Sequence, residues 1–160
     1  MNKEKGLTLI ELLATVSILV AVVVVMLALG DRAVRQTGFL GAQTQAVFLS
    51  KEAMEVVKNN ESEIRGEEDV TFWRVSYKEG VEEKKDSLEE CKNKKLNVQS
   101  TGEGIPDTFY GYASGEESPF SRCVTVWPED ENGGMEVLVE TFFTHGREEP
   151  SVKLHRVFYD

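Results

Sequence analysis

Glu11 is the residue whose placement most needs a chemical reason. It is the single charge among the 23 residues 7–29, LTLIELLATVSILVAVVVVMLAL. A carboxylate inside an apolar helix of that length is costly enough to be functional by default. The potential at a helix N-terminus offsets part of the cost, and a real counter-ion would offset more. An α-amine could serve, and one becomes available if the chain is cut just before the apolar stretch. The chemistry so implied is ion pairing at a new chain terminus, not turnover. Elsewhere the reactive side chains are sparse. Cys91 and Cys123 make an even pair, His145 falls in a turn, and His155 falls on a predicted strand. Glu129-Asp130-Glu131-Asn132 form an acidic turn without EF-hand spacing. No Ser/His/Asp or Cys/His grouping has usable spacing. Gly102 and Gly104 lack the following Gly-Lys-Ser/Thr of a phosphate-binding loop. The expectation is therefore a protein that is not an enzyme, with no cofactor and no metal site, and with both histidines at the surface.

The elements that must position Glu11 follow from the distribution of charge. The chain has 160 residues and a formal charge of −10, from 18 Lys/Arg against 28 Asp/Glu. Such acidity makes direct nucleic-acid binding unexpected, since tracking phosphates needs clustered Lys and Arg. Residues 31–160 hold 16 Lys/Arg and 26 Asp/Glu, so an apolar stem precedes an acidic head. As a helix, residues 7–29 span about 35 Å, enough for a bilayer core of about 30 Å. The β-branched run Val22–Val25 is a mediocre helix former in water. In lipid an unpaired backbone is far worse, so helix wins. A plain membrane anchor and a secretory signal peptide, with Ala28-Leu29-Gly30 as its cleavage site, are the simpler readings. Neither gains anything from Glu11. Lys3 and Lys5 before the stem balance Arg32 and Arg35 after it, so the positive-inside rule does not orient it.

Beyond the stem, Phe39, Ala42, Ala46, Leu49, Ala53 and Val56 recur at +3/+4 spacing, and Leu40, Val47 and Met54 broaden the stripe. This predicts an amphipathic continuation of the helix over 30–64, ending near Asn59–Gly66 and burying one face. The β-rich head then occupies 65–160. Val70–Tyr77 alternates like a strand. Residues 78–95 read as a solvated, charge-rich loop with a short strand or helical turn, and 100–119 as a Gly/Pro-rich loop. Ser121–Trp127, Met135–Phe143 and Val152–Tyr159, joined by turns at Asn132-Gly133-Gly134 and His145-Gly146-Arg147, predict an antiparallel meander. The amphipathic helix is the one available cover for that sheet, which gives an α+β fold.

The residues Lys5-Gly6-Leu7-Thr8-Leu9-Ile10-Glu11-Leu12-Leu13 closely resemble the signature of the type IV prepilin and pseudopilin family. Phe109-Tyr110-Gly111-Tyr112 and Ser118-Pro119-Phe120-Ser121-Arg122, with the closing strands, resemble PilV-like minor pilins, so the likeness covers most of the chain. The resemblance implies a pilin-like fold, with a helix that is half membrane-spanning and half amphipathic on a small antiparallel sheet. It implies a leader at 1–6, cleavage between Gly6 and Leu7 by the prepilin peptidase, and N-methylation of Leu7. It also implies that Glu11, as mature residue five, pairs with the Leu7 amine of a neighbouring subunit during assembly. Leu7 stands where Phe is commoner, and the stem lacks the proline many pilins carry. With no proline to place a bend, Gly38–Gly41 is the expected position of one.

The partners implied are the peptidase, other pilin subunits, the inner-membrane assembly platform, and membrane lipid before assembly. The head would lie outside the cytoplasm, first on a single-pass membrane protein and then in an extracellular or periplasmic filament. In that oxidising setting Cys91 and Cys123 can form a disulfide, with two free thiols as the alternative. Some related pseudopilins bind calcium near their C-terminal loops; for Glu129–Asn132 a solvated turn is the simpler expectation. The function implied is a structural one, a minor pilin or pseudopilin of a type IV pilus-like filament. A type II secretion pseudopilin and a membrane-anchored extracellular binding module are the alternatives.

Overall fold

The computed structural model describes residues 8–65, 69–76, 80–100, 108–112, 115–128, 131 and 133–159. The chain divides into two compact units, Met1–Leu40 and Gly41–Asp160. A helix, α1 (Leu9–Asn59), begins in the first and ends in the second, and it is helical through Gly30, Gly38 and Gly41.

Within the first unit, every described residue except Phe39 is exposed. Within the second, α1 buries Ala46, Leu49, Ser50, Ala53, Met54, Val56 and Val57. The apolar stripe expected from spacing is thus covered from Ala46 onward, while Phe39 and Ala42 are only half-buried. That face belongs to the core of the second unit, which begins at Gly41. Asn60 leaves helical geometry (φ −114°, ψ 25°), and a single turn, α2 (Glu61–Ile64), seals the end of the core with Ile64.

Among the described residues the sheet is entirely antiparallel and has seven strands: β1 (Thr71–Ser76), β2 (Gly80–Lys85), β3 (Lys95–Ser100), β4 (Thr108–Gly111), β5 (Glu116–Val126), β6 (Met135–Phe143) and β7 (Ser151–Phe158). The meander β5–β6–β7 is continuous in register, from Phe120↔Phe143 to Val126↔Val137 and from Met135↔Phe158 to Phe142↔Ser151. Its turns use Gly133 (φ 75°) and Gly146 (φ 65°), where a side chain would be strained. The eleven-residue β5 is the central strand. One of its edges takes β6, while the other is shared by β3 near its start and β1 near its end. β2 and β4 extend β1 and β3 outward. Residues 78–95, expected as a charge-rich loop with a short strand or helical turn, hold both, β2 and a short helix, α3 (Leu88–Lys92), and β3 starts at Lys95; the loop expected over 100–119 is corrected, since β4 and the first residues of β5 lie in it. Ser87 caps α3 by accepting from the Glu90 amide at 3.2 Å.

Strand alternation divides the sheet into two faces. Trp73, Val75, Val124, Val126, Met135, Val137, Val139 and Phe158 meet Ala53, Met54, Val56 and Val57 of α1 in one core. The opposite face carries Cys123, bonded to Cys91 of α3, and Arg74, whose Nη2 donates to the Glu90 carbonyl at 2.6 Å.

Candidate functional site

Glu11 lies in the first turn of α1, exposed, with its backbone amide donating to the Thr8 carbonyl at 3.0 Å. Gly6 and Leu7, the expected cleavage and methylation positions, lie outside the described residues. The apolar run that follows is covered by none of the described residues. Leu9, Ile10, Leu19, Met26 and Leu27 each expose about two-thirds or more of their surface. From Leu9 to Leu29 the rise is about 32 Å, and among the described residues this is the one helix long and apolar enough to cross a membrane.

The run's polar groups are settled internally. Thr15 Oγ1 donates to the Glu11 carbonyl at 2.6 Å, and Ser17 Oγ to the Leu13 carbonyl at 2.8 Å. Hydroxyls that bond back to the preceding turn need no water, which is what a lipid-facing helix requires. Glu11 differs: its carboxylate can only accept, and among the described residues no side chain donates to it, so the free amides of the first helical turn are its nearest donors. The charged residues resume immediately after the run, with Arg35 Nε 3.0 Å from Asp31. The arrangement can therefore insert, and it presents one acid, without a side-chain partner among the described residues, near the end of an apolar rod.

In the second unit the chemistry is structural. Arg122 is fully buried on the helix-facing side of β5. Its Nη1 donates to the Leu49 carbonyl at 2.7 Å and to Glu52 Oε1 at 3.2 Å, and its Nη2 donates to the Val75 carbonyl. Beside it Ser50 and Thr141 share a hydroxyl hydrogen bond of 2.7 Å. Helix and sheet are thus pinned by a polar layer above the apolar core. Tyr110 joins this packing, since Gln45 Nε2 donates to its Oη at 2.9 Å, while the Tyr112 ring lies by Arg74 of the opposite face and its Oη donates to the Arg122 carbonyl at 2.7 Å. Cys91 and Cys123 are joined in a disulfide with Cα atoms 5.6 Å apart, both fully buried.

Comparison with protein-family models, with curated proteins and with solved structures finds no match to this chain. The functional argument accordingly rests on the residues themselves. His155 is a surface residue whose Nε2 lies 2.6 Å from Glu136 Oε1, and His145 closes a turn through backbone bonds with Glu148. Of the acidic turn, Glu129, Asp130 and Asn132 fall outside the described residues, and Glu131 is exposed. Among the described residues no group of three or more His, Cys, Asp or Glu is placed to hold a metal ion.

Arg122 and its partners were not anticipated as a site. The signal was present: with Phe120, Val124 and Val126 facing inward on a strand of period two, residue 122 must face inward as well.

Proposed function

We propose that this chain is a structural subunit, a minor pilin or pseudopilin, of a type IV pilus-like filament. The prepilin peptidase removes residues 1–6, Leu7 becomes the methylated N-terminus, and α1 carries the subunit first in the membrane and then in the filament core. The observation that carries this reading is Glu11, one acid in an apolar helix whose hydroxyls are satisfied within the helix and whose surface none of the described residues covers. A bare anchor has no use for that acid. A neighbour's α-amine gives it a partner, and in low dielectric such a pair fixes axial register more than it adds net stability. The α+β head, with a helix face packed on an antiparallel sheet, is compatible with the pilin-like architecture. The buried disulfide suits a head outside the cytoplasm.

Two measurements test the proposal. N-terminal mass spectrometry of the mature protein should find methylated Leu7; a start at Asp31 would mean a secreted domain, and a start at Met1 a simple anchor. Glu11→Ala should insert and be processed like wild type yet be depleted from sheared filaments, because a neighbour's amine would enter the bundle unpaired at a cost of about 3–5 kcal/mol. Equal recovery of Glu11→Ala and wild type in filaments would reject the pairing.

A further inference from the structure

The sheet of the second unit is unfinished along β7. All eight residues of β7 pair with β6, and among the described residues nothing pairs with the outer edge. Alternation places Val152, Leu154, Arg156 and Phe158 on the face that α1 covers, opposite Thr141, Val139, Val137 and Met135. The cover is partial: Phe158 is buried, Val152 and Leu154 are half-buried, and Arg156 is exposed. Between β7 and α1 runs a groove of about 240 Å³, lined by Lys51, Met54 and Glu55 from the helix and Leu154, His155 and Arg156 from the strand. Phe48, 65% exposed, stands one turn before Lys51.

The charges around this groove are not equivalent. On the far face Lys153 is held by Glu140 at 3.1 Å and His155 by Glu136 at 2.6 Å. On the groove face Arg156 lies over the Phe158 ring, 5.0 Å from its centroid. Neither Arg156 nor Lys51 has a carboxylate partner among the described residues. With Glu55 counted, the groove side carries one uncompensated positive charge.

We propose that this margin binds one more strand, an extended segment of a different protein chain. One apolar side chain of that segment faces inward against Leu154 and Met54, and a carboxylate two residues away faces Arg156 and Lys51. Inward side chains on a strand recur about every 6.7 Å, the same spacing that separates Leu154 from Arg156, so the two contacts fall in register together. A free edge offers main-chain hydrogen bonds for affinity, while the alternate side chains supply selectivity. A second copy's β7 is the wrong occupant. β7 holds no Asp or Glu, so a second copy paired edge to edge brings no carboxylate to Arg156 or Lys51. The basic edge therefore favours an acidic strand over a second copy of itself.

The test uses the full-length protein in detergent micelles and a synthetic seven-residue peptide. The peptide carries glutamate, valine and valine, in that order, at alternate positions with threonine between them. In antiparallel pairing this sets glutamate opposite Arg156 and the valines opposite Leu154 and Val152. The expected result is saturable binding with slowed hydrogen exchange at β7 amides. The same peptide with lysine for glutamate should bind about fivefold more weakly. Arg156→Glu should invert that preference, and Leu154→Asp should abolish protection while the remaining exchange pattern stays native. Unchanged β7 exchange at millimolar peptide, protection confined to other strands, or equal binding of the two peptides by both wild type and Arg156→Glu would overturn the proposal.

Discussion

Arg122→Met and Arg122→Ala should differ sharply in stability, although each removes the same charge. Arg122 is fully buried, and its Nε has no hydrogen-bond partner. In wild type its bonds to the Leu49 and Val75 carbonyls each contribute about 1.5–3 kcal/mol. Against this stand the desolvation of the guanidinium, several kcal/mol, and an orphaned Nε–H costing about 1–3 kcal/mol. Methionine removes both penalties and keeps most of the volume. The Leu49 carbonyl lies inside α1 and keeps its helical acceptor role; the Val75 carbonyl loses a donor, a loss of about the size of the Nε penalty that disappears. Arg122→Met should therefore lie within about 1.5 kcal/mol of wild type. Alanine leaves a cavity between α1 and β5 as well and should cost about 3–5 kcal/mol. Glu52→Gln should cost about 1–3 kcal/mol, since the amide oxygen can still accept from Nη1 but the fully buried guanidinium loses its carboxylate. The assay is urea unfolding of the full chain in detergent, followed by the fluorescence of Trp73 and Trp127. If Met proves as damaging as Ala, the charge itself is indispensable and the argument from cancelling penalties is wrong.

Replacing Cys91 and Cys123 together with serine should lower stability by about 4 kcal/mol, from loop-closure entropy over their separation of 32 residues; the same unfolding assay checks it, and an unchanged midpoint would remove the bridge as a stabilising element. Gly115→Ala should cost about 1–3 kcal/mol, because a Cβ there would meet the Val98 carbonyl oxygen at 2.5 Å, backbone that cannot swing aside. Expression of Gly115→Ala with native stability would show that β3 and β5 can separate locally. A bulky residue at Gly6 should block leader removal, and mature-size protein in that variant would refute the cleavage assignment.

What the sequence made legible, and what it hid, divides along physical lines. The stem, the helix face from Ala46 to Val56 and the meander were readable because each has a strong hydrophobic period. Met135, Val137, Val139, Thr141 and Phe143 do face one side together, and all are buried. β2, with the sequence GVEEKK, was legible only as a short strand or helical turn within a charge-rich stretch, because an outermost strand buries little and so needs no apolar alternation. The start of β5 was hidden by Pro119, which usually argues against a strand interior. Here Pro119 lies near the register irregularity between Lys95 and Asn97, and its carbonyl still accepts from the Thr144 amide at 3.1 Å. Tyr110 and Tyr112 looked like family markers only. Their hydroxyl bonds to Gln45 and to the Arg122 carbonyl depend on residues far apart in the chain, which no local pattern reveals.

The apolar residues of α1 in the first unit set the final constraint on function. Full burial of a Val or Leu side chain is worth about 1.5–3 kcal/mol, and from Leu9 to Leu29 such residues are exposed along the whole run. The run must therefore be covered by something other than its own chain, either lipid or other helices. Transfer from lipid to a helix bundle releases no further hydrophobic free energy, because acyl chains are as apolar as leucine. If subunits leave a membrane for a filament, the preference has to come from contacts that lipid does not supply: close packing along the helix surface and a partner for the one residue lipid serves worst. Glu11 is that residue. Valine and leucine contacts tolerate sliding along a helix, whereas a carboxylate seeking a single amine does not. In the proposed filament the acid would convert a non-directional association into one with a defined axial position, and its removal should disorder register before it abolishes contact between helices.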